Sequence, residues 1–367
     1  MGETMPQITE RNYGLDVLKV ISMAMVITLH ILGHGGLLSN APFASKRYYL
    51  LYFIEFFAFS AVNIYVLVSG YIGTDRYSYS SFFKVHLQVV FYSVFIPLII
   101  AIRFSETLSL TNIWKGFFPV CSNTYWFYSA FFFVNLFKPF LNAFSAHLSV
   151  RNHCAFVLMV IVFIAIFSCF FDSNLLYLNY GYSVFWLTIL YVLGGSLKQI
   201  SRVHSFKSWK CLLLYLICVL TAFFYKFFSE KFLLPIVIDS NEMLNYLSPT
   251  SLIAAIAAVF GFSNLQIGSL RLKKVILTLS NLTFGVYLIH DHEMVRLLFI
   301  TDRFVPLIHL YPIKMLLLIF MSVISIFSCC GFMEYGRLKL FNLIRISKLC
   351  QKGAILLERW TGFKGTA

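Results

Sequence analysis

The chain has 367 residues, of which 59% are hydrophobic, 18% aromatic and only 12% charged. That balance excludes an ordinary soluble domain and points to an integral membrane protein. The net charge of +14 would suit a nucleic-acid binder, but the basic residues fall between apolar runs of spanning length rather than in one patch, which argues against nucleic acid. Cys121, Cys154, Cys169, Cys211, Cys218, Cys329, Cys330 and Cys350 form no CxxC pair, so neither a disulfide framework nor a metal site is expected.

The first apolar run, Gly14 to Leu38, carries Lys19 near its start and His30 near its end. Eleven helical steps of about 100° bring the two onto one face, about 16 Å apart along the axis. His34 continues the stripe one turn on, and Gly33, Gly35 and Gly36 let the chain or a ligand come close there. Ionisable groups inside spanning helices are usually functional. A snorkelling Lys19 and a packing His30 form the plainer alternative.

Nine further runs follow, giving predicted spans at about 15–38, 48–72, 82–102, 125–144, 155–171, 183–200, 211–228, 249–267, 275–295 and 311–334. An even count puts both termini on one side. If that side is inner, it holds nineteen basic residues, from Arg11, Arg76, Lys84 and Lys138 through Lys274 to seven in the tail. The outer side holds eight, among them Lys46, Lys226 and Arg296. Both termini are therefore expected in the cytoplasm. The fold class is an all-α integral membrane protein of about ten transmembrane helices. Residues 1–336 are expected to form the membrane domain. Residues 337–367, whose cations between Arg337 and Lys364 alternate with leucines and Trp360, are expected to form a basic amphipathic tail on the inner membrane lipid. Ala254, Ala257, Ala258 and Gly261 offer a small-residue face for close helix packing.

Four landmarks occur in order. Leu15-Asp16-Val17-Leu18-Lys19 with Lys19-x10-His30 resembles the Asp-x-Leu-Arg opening and Arg-x10-His pattern of the membrane acyltransferase 3 family, with lysine for arginine. The change keeps the cation but loses the planar fork. Val62 to Tyr71, closing on Ser69-Gly70-Tyr71, resembles the family's Ser-Gly-Tyr signature. Trp126-Phe127 resembles its aromatic opening, and Leu282 to His290 its Tyr-Leu-Ile-His ending. The resemblance implies a bacterial, multi-pass inner-membrane O-acyltransferase. Such an enzyme most commonly moves acetyl from cytoplasmic acetyl-CoA to a hydroxyl of a lipid-linked or surface glycan.

On that reading His30 is the base or a transient acyl acceptor, since histidine has the matching pKa for an alcohol nucleophile. Lys19 and Lys84 contact the donor, Ser69 and Gly70 line its path, and no metal takes part. Counting residues from the inner edge puts His30 and His290 both roughly 21 to 24 Å deep, so that they can meet in one plane. Glu55, the only carboxylate well inside a predicted span, falls near that plane. There it either orients a histidine or sits in a structural ion pair. His290 with Glu55 is the expected acceptor side. The alternative classes are a lipid-linked glycan flippase or polymerase, against which the lack of a large outer loop counts, and a purely structural protein. The sequence leaves the oligomeric state open.

Overall fold

The computed structural model describes residues 11–73, 78–104, 110–169, 177–233 and 241–362. Arg76, Lys364 and the last two residues of the fifth predicted span lie outside them. Among the described residues the regular elements are all helical. The main ones are α1 (Tyr13–Leu32), α2 (Lys46–Phe59), α3 (Ala61–Gly73), α4 (Tyr79–Phe104), α5 (Trp126–Ala146), α6 (Val150–Met159), α7 (Val184–Val203), α8 (Ser208–Phe228), α9 (Pro249–Ser263), α10 (Leu270–His290), α11 (Glu293–Phe299), α12 (Pro312–Leu343) and α13 (Ile346–Thr361).

Local chemistry sets the helix starts. The Asn12 side chain accepts the Leu15 N–H at 3.1 Å ahead of α1, and Ser45, Ser149, Ser183, Ser248 and Ser269 cap α2, α6, α7, α9 and α10 in the same way. Each occupies an N–H that has no partner within its helix, which matters most where water is scarce.

Among the described residues, seven stretches are long and apolar enough to cross a membrane: α1 with the turn after it, α2 joined to α3, α4, α7, α8 with the turn that follows it, α10 and α12. The other three predicted runs are helical as well. α5 has 21 residues but carries Ser129, Asn135, Lys138 and Asn142, while α6 with its π-helical continuation Val160–Ile166, and α9, are apolar but shorter. The last span extends well past its predicted end near residue 334. α12 continues to Leu343, so Glu334 lies within the helix and is fully buried. The statement that Glu55 is the only carboxylate well inside a span is therefore corrected. Glu334 is a second one, received by Arg337 through two nitrogens, by Tyr92 at 2.7 Å and by Gln88 at 3.1 Å. Such a buried pair holds because every lone pair that faces protein has a donor.

Helix α1 is the centre of the assembly. It packs against α2, α3, α9, α10 and α12, and Leu15, Leu18, Ile27 and Ile31 on it are fully buried. The expected small-residue face of α9 is buried at Ala254, Ala257, Ala258 and Gly261. A very close crossing joins α3 to α7. A Cβ on Gly70 would lie 2.0 Å from the Tyr191 carbonyl oxygen, and one on Gly194 would lie 2.1 Å from that of Leu67. Dispersion at this crossing depends on backbones touching, which only small residues allow. Helix α13 lies against α4, with Ala354 and Leu357 packed around Tyr79 and Phe83.

Gly70→Val should therefore destabilise the protein by at least about 1–3 kcal/mol through overpacking. Ser69→Ala beside it should change stability little. Thermal unfolding of both variants in the same detergent checks this, and equal midpoints would contradict the crossing as drawn.

Candidate active site

The half of the bundle around the C-terminal end of α1 encloses a cavity of about 420 Å³ whose lining includes His30 and His34, Glu55 and Tyr65, Trp126, Tyr182, Tyr246 and Tyr287, and Asp291 with Arg296. His30 stands in the last turn of α1. His34 follows in the glycine turn, its ring centroid 5.3 Å from that of His30. The glycines there serve chain approach: Gly36 takes a positive φ of 82°, and the carbonyls of His34 and Gly35 accept the N–H groups of Asp302 and Phe304 at 3.0 and 3.2 Å. This docking fixes the end of α1 against the loop that follows α11.

His290 closes α10, with its ring centroid 5.0 Å from that of His30. Helix α10 thus brings the second histidine to the depth that residue counting gave. The His290 Nδ1 is 2.6 Å from the Val286 carbonyl, which can only accept, so Nδ1 carries the hydrogen. Its Nε2 is buried without a partner. The residue after it, Asp291, is the member of the site that sequence reading missed. Its Oδ1 lies 3.7 Å from His30 Nδ1 and accepts from Arg296 Nη1 at 2.9 Å. The only signal was an acidic residue next to the last landmark, and residue counting alone placed that residue at the membrane edge.

Glu55 lines the same cavity, but no hydrogen bond joins its Oε2 to a histidine or to any other protein group. The buried ion pair nearby is a different one. Lys226 meets Glu230 at 2.7 Å and donates to Asn241 at 2.8 Å, and Glu230 accepts from Tyr48 at 2.7 Å.

The remaining predicted residues lie elsewhere. Lys19 is about three turns from His30 toward the N-terminus of α1, with Nζ 3.5 Å from Asp16, whose carboxylate also takes Arg11 at 2.6 Å and Ser280 at 2.8 Å. The charge of Lys138 on α5 acts on the same region, and its Nζ stands 5.3 Å from the ring centroids of Phe131 and Tyr191. Gly70 is buried in the α3–α7 crossing and Ser69 beside it is half-buried; neither lines the cavity. Lys84 is exposed beside α13, near Cys350. His30, His290 and Glu55 thus come together, while Lys19, Ser69, Gly70 and Lys84 do not join them. Among the described residues, His30, His34 and Asp291 are close enough to hold a metal ion, but Arg296 already occupies the carboxylate oxygen nearest His30.

Fold and site together define a multi-pass helical membrane protein with a histidine-bearing cavity at one end of its central helix. A family model described as an acyltransferase domain matches residues 12–333, and the chain belongs to this acyltransferase 3 family. No curated protein and no solved structure gives a significant match.

Just beyond α10, His292 caps α11 by accepting the Met294 N–H at 3.3 Å. Burial pushes its pKa down to about 4. A histidine held neutral in the folded state binds fewer protons there than when unfolded, so stability rises with pH between the two values. His292→Asn keeps a capping oxygen but cannot titrate. The fall in melting temperature between pH 6.5 and 4 should be smaller in this variant than in wild type, and an unchanged pH dependence would exclude His292 as a contributor.

Proposed function

We propose that this acyltransferase is an O-acetyltransferase of a bacterial inner membrane. It would take acetyl from cytoplasmic acetyl-CoA and pass it to a hydroxyl of a lipid-linked or surface glycan, with ten spans and both termini in the cytoplasm. The observation that carries the reading is the placement of cations and imidazoles at opposite ends of one central helix. Lys19, with Lys138 facing the same region, would hold the charged end of the donor, and Lys84 would meet it at the inner rim. The donor's long neutral arm would then run outward toward His30, past the helix that carries Ser69.

In the reaction, His30 removes the proton of the acceptor hydroxyl as that oxygen bonds to the acetyl carbon. The carbon–sulfur bond breaks, and the thiolate leaves and regains a proton. Asp291 faces the other imidazole nitrogen, which orients the ring and stabilises the imidazolium as it forms. Arg296 keeps that carboxylate in place. His290 packs beside His30 on the acceptor side, with Glu55 across the cavity.

Purified protein supplied with labelled acetyl-CoA and glycan acceptor should place the label in the glycan. His30→Ala should lower transfer by about 10²–10⁴-fold while the protein still inserts and folds, and Asp291→Asn should cause a smaller loss. Near-normal transfer by well-expressed His30→Ala would sink the assignment, and label that never reaches glycan would favour a transporter.

Lys19→Met should weaken the acetyl-CoA dependence of transfer more than the acceptor dependence, because it removes the charge while preserving length and apolar character. Lys19→Arg, which restores the residue usual in the family, should retain substantial activity. Normal donor dependence in Lys19→Met would mean that the lysine only snorkels.

A further inference from the structure

One wall of the cavity takes no part in the acyl-transfer chemistry. Trp126, Tyr182 and Tyr246 line it beside Glu55. The Trp126 ring centroid is 4.5 Å from that of Tyr182 and 6.2 Å from that of Tyr246, and the two tyrosine rings are 5.0 Å apart. Phe59 stacks behind Tyr246 at 5.0 Å. The cluster is not sealed like a core: Tyr182 is 44% exposed. The Glu55 Oε2, by contrast, is buried with no hydrogen-bond donor. Two cations of this region are engaged, Lys226 by Glu230 and Arg296 by Asp291. A carboxylate oxygen withdrawn from water without a donor is costly, so the ligand that suits this wall is rich in donors on one side and apolar on the other.

We propose that Trp126, Tyr182, Tyr246 and Glu55 form a subsite for a neutral sugar ring. The C–H face of the ring packs on the aromatic wall, and neighbouring hydroxyls donate to the Glu55 carboxylate, a charge-assisted bond stronger than one to a neutral acceptor. An acidic sugar is disfavoured, because it brings a second negative charge to Glu55 while Arg296, the arginine lining the cavity, is already held by Asp291. A quaternary ammonium would need rings spaced around it, whereas these rings contact one another. The proposal rests on the acyl-transfer reading only in making this ring part of the acceptor. Sugar binding itself stands apart from transfer.

The test is saturation-transfer NMR on the full chain in phospholipid nanodiscs, because detergents with sugar headgroups would compete. The probes are a panel of neutral methyl glycosides, including methyl β-D-glucopyranoside and methyl α-L-rhamnopyranoside, with methyl β-D-glucopyranosiduronic acid and choline for comparison. At least one neutral glycoside should receive saturation on its ring protons, more than the uronic acid or choline does. Glu55→Ala should weaken it on the order of ten- to a hundredfold, the scale of a hydrogen bond to a charged group. Tyr182→Ala, at an exposed position where folding is little affected, should weaken it as well. Glu55→Gln should narrow the gap between the uronic acid and the neutral glycoside. Saturation of none of the neutral glycosides, a stronger response from choline or the uronic acid, or binding indifferent to both alanine variants would overturn the proposal. Since no acetyl group is transferred in this experiment, glycoside binding that survives His30→Ala, or fails while wild type still transfers acetyl, separates this proposal from the acyl-transfer reading.

Discussion

A polar atom placed among membrane-spanning helices has no water to fall back on, so it must be bonded within the protein or remain costly. Much of this bundle obeys that constraint. Asn63 donates to the Tyr246 carbonyl at 2.8 Å and to Ser251 at 3.2 Å, and accepts from Trp186 at 3.1 Å. Lys226 with Glu230, and Arg337 with Glu334, are closed ion pairs supported by tyrosines. Against that background, His30 Nδ1, His290 Nε2 and Glu55 Oε2 are buried without hydrogen-bond partners in one region. Neither histidine nor carboxylate is a residue that a bilayer protein leaves unpaired for packing alone, and their convergence is the strongest physical argument for a site there.

What the sequence made legible follows from periodicity and depth. Over their described residues all ten apolar runs are mainly helical, and the stripe on α1 lies on the most central helix, because ionisable residues on a lipid-facing helix would have no partners. Counting residues from the inner edge brought His30 and His290 to a common depth, which needs only the constant rise of the α-helix. What stayed hidden depends on tertiary arrangement. Trp126, Tyr182 and Tyr246 stand at the starts of three different helices, too far apart in sequence for any local pattern to group them. Gly70 carries a family-like signature, yet at this position the structure shows a backbone crossing, and only the partner helix reveals it. The length of α12 was misjudged because Glu334 and Arg337 looked like an edge, whereas each neutralises the other inside the helix bundle.

The two ends of α1 also differ in how their charges are held. At the N-terminal end Asp16 gathers Arg11, Lys19 and Ser280, a cluster whose position near the helix N-terminus favours the carboxylate. Lys19 shares Asp16 with a second cation and keeps it at 3.5 Å, longer than the 2.6 Å of Arg11, so its ammonium retains room for another anion. At the C-terminal end the carboxylate is Asp291, which lies between Arg296 and His30. One helix therefore presents a cation at one end and an imidazole at the other, each positioned by a carboxylate that another residue anchors.

The spacing at Asp291 is itself informative. Its Oδ1 accepts from Arg296 at 2.9 Å but stops 3.7 Å short of His30 Nδ1, beyond hydrogen-bond range. A carboxylate already bonded to the neutral imidazole would stabilise the resting state and the reacting state alike. One held just out of reach by an arginine gains most when the imidazole takes up a proton and its positive charge draws the two together. Only interactions that strengthen in the transition state accelerate the chemical step, and catalytic hydrogen bonds are often long before substrate binds. On the proposed reading Arg296 would be a positioning residue. It would hold Asp291 close enough to answer the charge on His30, and by satisfying the carboxylate in the resting state it would let the His30–Asp291 gap persist until that charge develops.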